Sequence, residues 1–195
     1  VTKVYLLLSH SKDDVNMLHD NKYISNDEGT IDTVEKSGFD IYDLFKLYHK
    51  PKVNKIFCSK CKSKTTMIST ISKLPVYLCF HLKRFSYDTT INDFKKLHVY
   101  VDFPETLNVY PYVDKEENYS FEHAAKKEEC EYELFAVDEH RGGVYGGHYV
   151  AYSKVNGTWY IFNDSSVSQD SNYKSSNSLA LFYEPRYSSN LVNRY

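Results

Sequence analysis

Long apolar runs are missing from this 195-residue chain. Near its start the longest, Val4-Tyr5-Leu6-Leu7-Leu8, has five residues, where a membrane-spanning helix needs about 20. It lacks the flanking pattern of a secretory leader. An excess of one charge is missing too: 24 Lys and Arg stand against 26 Asp and Glu, a net of −2. No broad basic field is available for a nucleic-acid backbone. Neither nucleic acid nor a membrane is therefore expected as a partner. Cysteine is scarce, at four residues, and has no even framework of the secreted, disulfide-stapled kind. A reducing compartment is expected, cytoplasmic or nuclear. Val1 stands where an initiating Met would, so the chain is expected to be processed or a fragment.

Glycine is also sparse, and its placement is informative. Of seven glycines, four fall in the six residues 142–147, GGVYGG. Glycine gathers where backbone must take positive φ or let another chain pass close by. After this collar comes HYVAYSKVNGTWYIFNDSSV. Asn156-Gly157 marks a two-residue type I′ hairpin, pairing Val155 with Thr158. Counting outward sets Val150 opposite Asn163 and His148 opposite Ser165. Period-two alternation then puts His148, Val150, Tyr152, Trp159, Ile161 and Asn163 on one face, and Asp164 on the other. His148 and Asn163 become diagonal neighbours, about 7–8 Å apart at the backbone. An amide oxygen there accepts an imidazole N–H and fixes its tautomer, as the third member of a Cys-His-Asn site does. A mobile loop carrying an exposed His is the plainer alternative.

The chain as a whole is 42% hydrophobic, fitting one soluble globular domain or most of one. Nineteen tyrosines suit pleated surfaces. Residues 1–38 open on the short apolar run and continue polar, a linker or the tail of an inserted region. Asp40 precedes Ile41, Leu44, Phe45 and Tyr48, an amphipathic helical stripe with an Asp N-cap, stopped by Pro51. Cys58-Ser59-Lys60-Cys61 lies between β-like runs at 54–57 and 62–74. Such a knuckle is half of a zinc ribbon, since tetrahedral zinc wants four ligands. A redox C-x-x-C would open a helix, and nothing helical follows. VYLCFHLKRF alternates as a strand, and Cys79 within it reads as a small buried hydrophobe rather than a nucleophile. A loop at 88–93, a strand at 96–103, a polar surface excursion at 111–131 carrying Cys130, and strands at 132–139 and 179–184 complete the reading.

In order, FCSKCK, LPVYLCFHLKRFSY, VDFP, YELFAVDEHRGGVYGGHYVAYSK, WYIFNDSSV and ALFYEP resemble the ubiquitin-specific protease family of deubiquitinating enzymes. The likeness covers residues 39–187, leaving 188–195 as a tail. Its nearest flavour is the subgroup whose catalytic domain is split by a ubiquitin-like insert. The resemblance implies an α+β, papain-like fold of thumb, palm and fingers. This chain would hold the antiparallel palm sheet and half of the zinc-ribbon fingers, with the thumb missing. Carried over by position, His148 is the general base, Asn163 orients it, and Asp164 assists near the oxyanion. Phe85, His140, Gly142, Gly143, Gly146, Gly147 and Tyr149 would line or cover the channel for the ubiquitin tail. Cys58 and Cys61 would be one ligand pair of a structural zinc, the other pair lying upstream; catalysis itself needs no cofactor.

One departure bears on activity. The family's nucleophilic Cys sits in a box of the type G-L-x-N-x-G-N-x-C, and nothing here matches it. The leading expectation is thus the C-terminal portion of a thiol-dependent ubiquitin hydrolase, inactive as this chain alone, with ubiquitin or ubiquitinated proteins as partners. A non-catalytic ubiquitin-binding or scaffolding protein is the alternative. A zinc-ribbon nucleic-acid module is disfavoured by the single knuckle and the absence of a basic stripe.

Overall fold

The structure, a computed structural model, describes residues 5–8, 39–71, 74–114 and 127–186. In chain order it runs β1 (Tyr5–Leu8), β2 (Phe39–Asp40), α1 (Ile41–His49), β3 (Lys52–Phe57), β4 (Lys64–Met67), β5 (Leu78–Leu82), β6 (Phe85–Asp88) and β7 (Asp93–Lys96). There follow β8 (Val101–Asp102), β9 (Thr106–Asn108), β10 (Glu131–Gly142), β11 (Gly147–Val155), β12 (Thr158–Asn163), β13 (Ser166–Gln169) and β14 (Ser178–Pro185). Eight strands form one sheet in the order β1-β5-β14-β10-β11-β12-β13, with β9 also against β10. Within it only β1–β5 is parallel. The architecture is α+β, built on one mainly antiparallel sheet. No helix among the described residues is long and apolar enough to cross a membrane.

Alternation dictates which face is dry. Leu78, Phe80 and Leu82 of β5, Leu181 and Tyr183 of β14, and Tyr132, Leu134 and Val137 of β10 are all buried. Against them lies α1, whose Ile41, Leu44 and Phe45 are buried as their helical spacing requires. Asp40 caps this helix: its Oδ1 accepts the Asp43 N–H at 3.0 Å, and Asp43 Oδ2 accepts the Asp40 N–H at 3.4 Å. Phe45 meets Phe80 edge-on at 5.2 Å, welding helix to sheet. Tyrosines reach the core with their hydroxyls satisfied; Tyr132 donates to Pro75 O at 2.7 Å and Tyr183 to Pro104 O at 2.8 Å.

Several expectations change. The apolar start Tyr5–Leu8 is a strand of the sheet, while residues 9–38 lie outside the described set. The strand foreseen over 96–103 is two, β7 and β8, with an irregular link between them. The Arg84 guanidinium explains the break. Its Nη1 donates to Leu97 O at 3.2 Å and Val99 O at 2.6 Å, and its Nε donates to Ser178 O at 2.6 Å. The link's carbonyls are thereby spent on a side chain instead of a neighbouring strand. Burial pulls this guanidinium down to about 10, with Glu139 partly restoring it. The strand over 62–74 shortens to β4, with Ile71 bridging to Val113. Cys130, expected in a surface excursion, is fully buried in the core beside Leu107 and Val109; residues 115–126 are not described.

Candidate active site

Asn156 and Gly157 both take positive φ, 49° and 80°, the type I′ geometry that the right-handed strand twist favours. The turn fixes Val155↔Thr158, Tyr152↔Ile161 and Ala151↔Phe162 across β11 and β12. That register carries His148 and Asn163 to the same end and face of the pair. His148 Nε2–H donates to Asn163 Oδ1 at 2.6 Å. Since an amide oxygen only accepts, this bond selects the tautomer with the proton on Nε2 and leaves Nδ1 as the basic nitrogen.

Past Asn163 the chain departs from the expected count. Asp164 and Ser165 form the turn of a second hairpin, with Asn163 paired to Ser166, so Ser165 does not continue a strand opposite His148. Asp164 has φ 51°, which frees it from strand alternation. It does not point to the far face; its Oδ2 lies 3.9 Å from His148 Nε2, with the carboxylate side chain 80% exposed. At that distance and exposure it is a screened neighbour, and Asn163 is the bonded partner.

The collar is built around His140, which is only 5% exposed. Its ring meets Phe85 edge-on at 5.3 Å and Tyr149 at 4.8 Å. Burial, with Lys96 nearby, pushes its imidazole below the ordinary value. Gly147 rests on that ring. A Cβ at 147 would collide with His140 and come within 2.6 Å of Arg141 O. Gly142 has φ 119°, and a Cβ there would meet Gly146 O at 2.7 Å. The loop closes through a bond from Gly143 N–H to Gly146 O at 2.9 Å. Phe85 and Tyr149 thus pack on the buried His140 ring, and the glycine loop 142–147 closes over it immediately before His148 on β11.

Arg141 is paired directly across from His148. Its guanidinium turns back to Glu139 at 3.0 Å and to the Tyr152 hydroxyl at 3.1 Å. Glu139, 2% exposed, also accepts from the Ser175 hydroxyl. Sequence reasoning missed this pair and three others: Lys96, Asn177, and the contact from the Tyr145 hydroxyl to Asp93 that ties the collar to the β6–β7 turn. Nothing in a stretch such as FKKLH distinguishes a buried lysine from a solvated one.

The cysteines are elsewhere. Cys79 on β5 is three strands from β11, about 14 Å at ordinary strand spacing. Burial, then Asp138, pushes its thiol up, away from the nucleophilic form. Cys130 adjoins Glu131, at the opposite end of β10 from Arg141 and His148, about 35 Å along the strand. Cys58 and Cys61 sit at the tip of the β3–β4 hairpin, where Cys58 N–H donates to Ser63 O and Lys62 N–H to Cys58 O, both at 2.9 Å. The Ser63 hydroxyl, 2.8 Å from Cys61 Sγ, helps pull that exposed thiol down to about 7. Among the described residues no group of three or more His, Cys, Asp or Glu is placed to hold a metal. His49 stacks on Tyr112 at 4.7 Å.

A model of the family described as ubiquitin carboxyl-terminal hydrolase matches residues 7–183. The chain belongs to this family. Ubiquitin carboxyl-terminal hydrolase 8 of Saccharomyces cerevisiae is 35% identical over 156 residues, 74% of this chain and 33% of that protein. Ubiquitin carboxyl-terminal hydrolase 9 of Arabidopsis thaliana is 38% identical over 134 residues, 65% of this chain and 14% of that protein. The SAGA Ubp8/Sgf11/Sus1/Sgf73 DUB module bound to ubiquitin aldehyde contains a chain of the same fold. It superposes with a TM-score of 0.65 at 31% identity, over 77% of this chain and 34% of that one. The chain thus spans about a third or less of each of these relatives, and its fold is that of the ubiquitin-specific protease type.

Proposed function

We propose that this chain is the base-bearing part of a thiol-dependent deubiquitinase that cleaves isopeptide, peptide or ester bonds at the C-terminal glycine of ubiquitin. The reading rests on the 2.6 Å bond from His148 Nε2–H to Asn163 Oδ1 beside a glycine collar, in a chain of this family. The nucleophilic thiol comes from a part of the protein outside this chain, since Cys79 and Cys130 are remote from His148 and Cys58 and Cys61 belong to a separate hairpin. In the complete enzyme that thiol loses its proton to His148 Nδ1 as its sulfur bonds the glycine carbonyl carbon. The imidazolium, steadied by Asn163, returns the proton to the lysine amine as the C–N bond breaks. His148 then takes a proton from water, whose oxygen attacks the thioester and releases the ubiquitin carboxylate and the free thiol. Phe85, His140, Tyr149 and residues 142–147 line the extended tail, which glycine lets approach the backbone closely.

Cys58 and Cys61 fit half of a structural zinc site. Both are thiols on one tight turn, and the Cys61 thiol is pulled down to about 7, toward the thiolate form zinc takes. The second ligand pair lies outside the described residues. Zinc there would hold the hairpin tip together and take no part in hydrolysis.

The test is hydrolysis of a ubiquitin C-terminal fluorogenic amide by the complete protein. Activity lost in His148→Ala is the expected result. A complete protein that binds ubiquitin but never turns over, with or without His148, would favour the scaffolding alternative.

A further inference from the structure

Strand β10 outruns its neighbour. Its pairing with β14 ends at Glu139↔Ser178, yet β10 continues through His140, Arg141 and Gly142 to the collar. On the other edge β11 stays paired as far as Gly142↔Gly147. The polar backbone groups of His140 and Gly142 on the abandoned edge would lack partners, which buried backbone rarely tolerates. A side chain fills the gap. Lys96 Nζ, at the end of β7, donates to His140 O, to Gly142 O at 3.1 Å and to Asn177 Oδ1 at 3.3 Å. Asn177 completes the circuit, its own carbonyl accepting the His140 N–H at 3.1 Å.

This placement is unusual for a lysine. The residue is only 8% exposed, and all three of these acceptors are neutral oxygens. Burial, reinforced by Arg84, lowers the ammonium's pKa, and Glu139 works in the other direction. A buried cation is tolerated where its donors are satisfied, and here the three N–H groups stand in for a missing strand. His140 O and Gly142 O lie at the root of residues 142–147.

We infer that Lys96, with Asn177, is a positioning residue for the substrate tail: it clamps the His140–Gly142 backbone and so holds the collar in its tail-receiving shape. The inference rests on the deubiquitinase reading above. His148 has its own orienter in Asn163, so loosening the clamp weakens capture of the tail more than it weakens the base. Lys96→Met in the complete protein should raise KM for a ubiquitin C-terminal amide about tenfold or more, with kcat kept within about threefold. Lys96→Arg, which retains charge and donors, should recover part of the loss, and Asn177→Ala should raise KM a few-fold. Backbone hydrogen exchange in the same proteins should quicken at residues 142–147 and stay unchanged over residues 132–138.

A fall in kcat at constant KM, or unchanged kinetics and exchange in both Lys96→Met and Asn177→Ala, would overturn the clamp. Should Lys96→Met fail to fold, Asn177→Ala and Lys96→Arg carry both measurements. A wild-type protein without hydrolysis would instead count against the deubiquitinase reading. The exchange comparison then decides the clamp by itself.

Discussion

A single amide oxygen sets the chemistry at the scale of the residue. Asn163 Oδ1 accepts from His148 Nε2 at 2.6 Å and leaves Nδ1 free to take a proton, whereas Asp164 stands off at 3.9 Å in solvent. Hydrogen bonds to groups that become charged are worth about 1.5–3 kcal/mol, so Asn163→Ala should lower kcat of the complete enzyme roughly ten- to a hundredfold. Asp164→Ala should cost less than about fivefold, as expected of an exposed, screened pair. Steady-state kinetics on a ubiquitin amide decides between them, and a larger loss at Asp164 would reverse the assignment. That Asn163 faces His148 was legible in the sequence, because Asn156-Gly157 fixes register and register fixes faces. Asp164 was not, since a residue at φ 51° no longer obeys the alternation that the count assumed.

Among the elements, hairpins and helix announce themselves by local chemistry. The Asp40 cap, the Ile41-Leu44-Phe45 stripe and the type I′ turn each need only neighbours within a few residues. The broken link after β7 does not, because Arg84 takes carbonyls from Leu97 and Val99 and from Ser178, 94 residues away. The β3–β4 hairpin offers a metal test. Two thiolates leave half of a tetrahedral zinc sphere to solvent. This chain alone should therefore release zinc on dialysis against a chelator, while the complete protein should retain one equivalent by atomic absorption. Stoichiometric zinc retained by the isolated chain would mean that its ligand set is larger than Cys58 and Cys61.

For the whole molecule, the question is what the second face of the sheet packs against. The inner face is dry, but on the outer face Phe135, Phe182 and Tyr160 are only partly buried, and Val167 is 56% exposed. Apolar surface of this kind invites association. The chain expressed alone should aggregate and should not hydrolyse a ubiquitin amide above background. Joined to the remainder of its protein, it should gain both solubility and activity. Mass spectrometry after treatment with a ubiquitin probe bearing a C-terminal electrophile gives the sharper reading: no adduct should form on Cys79 or Cys130 of the isolated chain, and a specific adduct on either would show that the nucleophile lies within it. The sequence by itself determined the period-two strands, the hairpin register, the pairing of His148 with Asn163 and the family likeness, because each depends on short-range spacing along the chain. Only the tertiary structure decided that Cys130 is core, that Asp164 turns back toward His148, and that a buried lysine stands in for a strand beneath the collar. The first and the last depend on which edges and faces lie together after folding, a long-range matter that no local pattern encodes. Asp164 is turned by the left-handed backbone of the β12–β13 turn, where the assumed alternation stops.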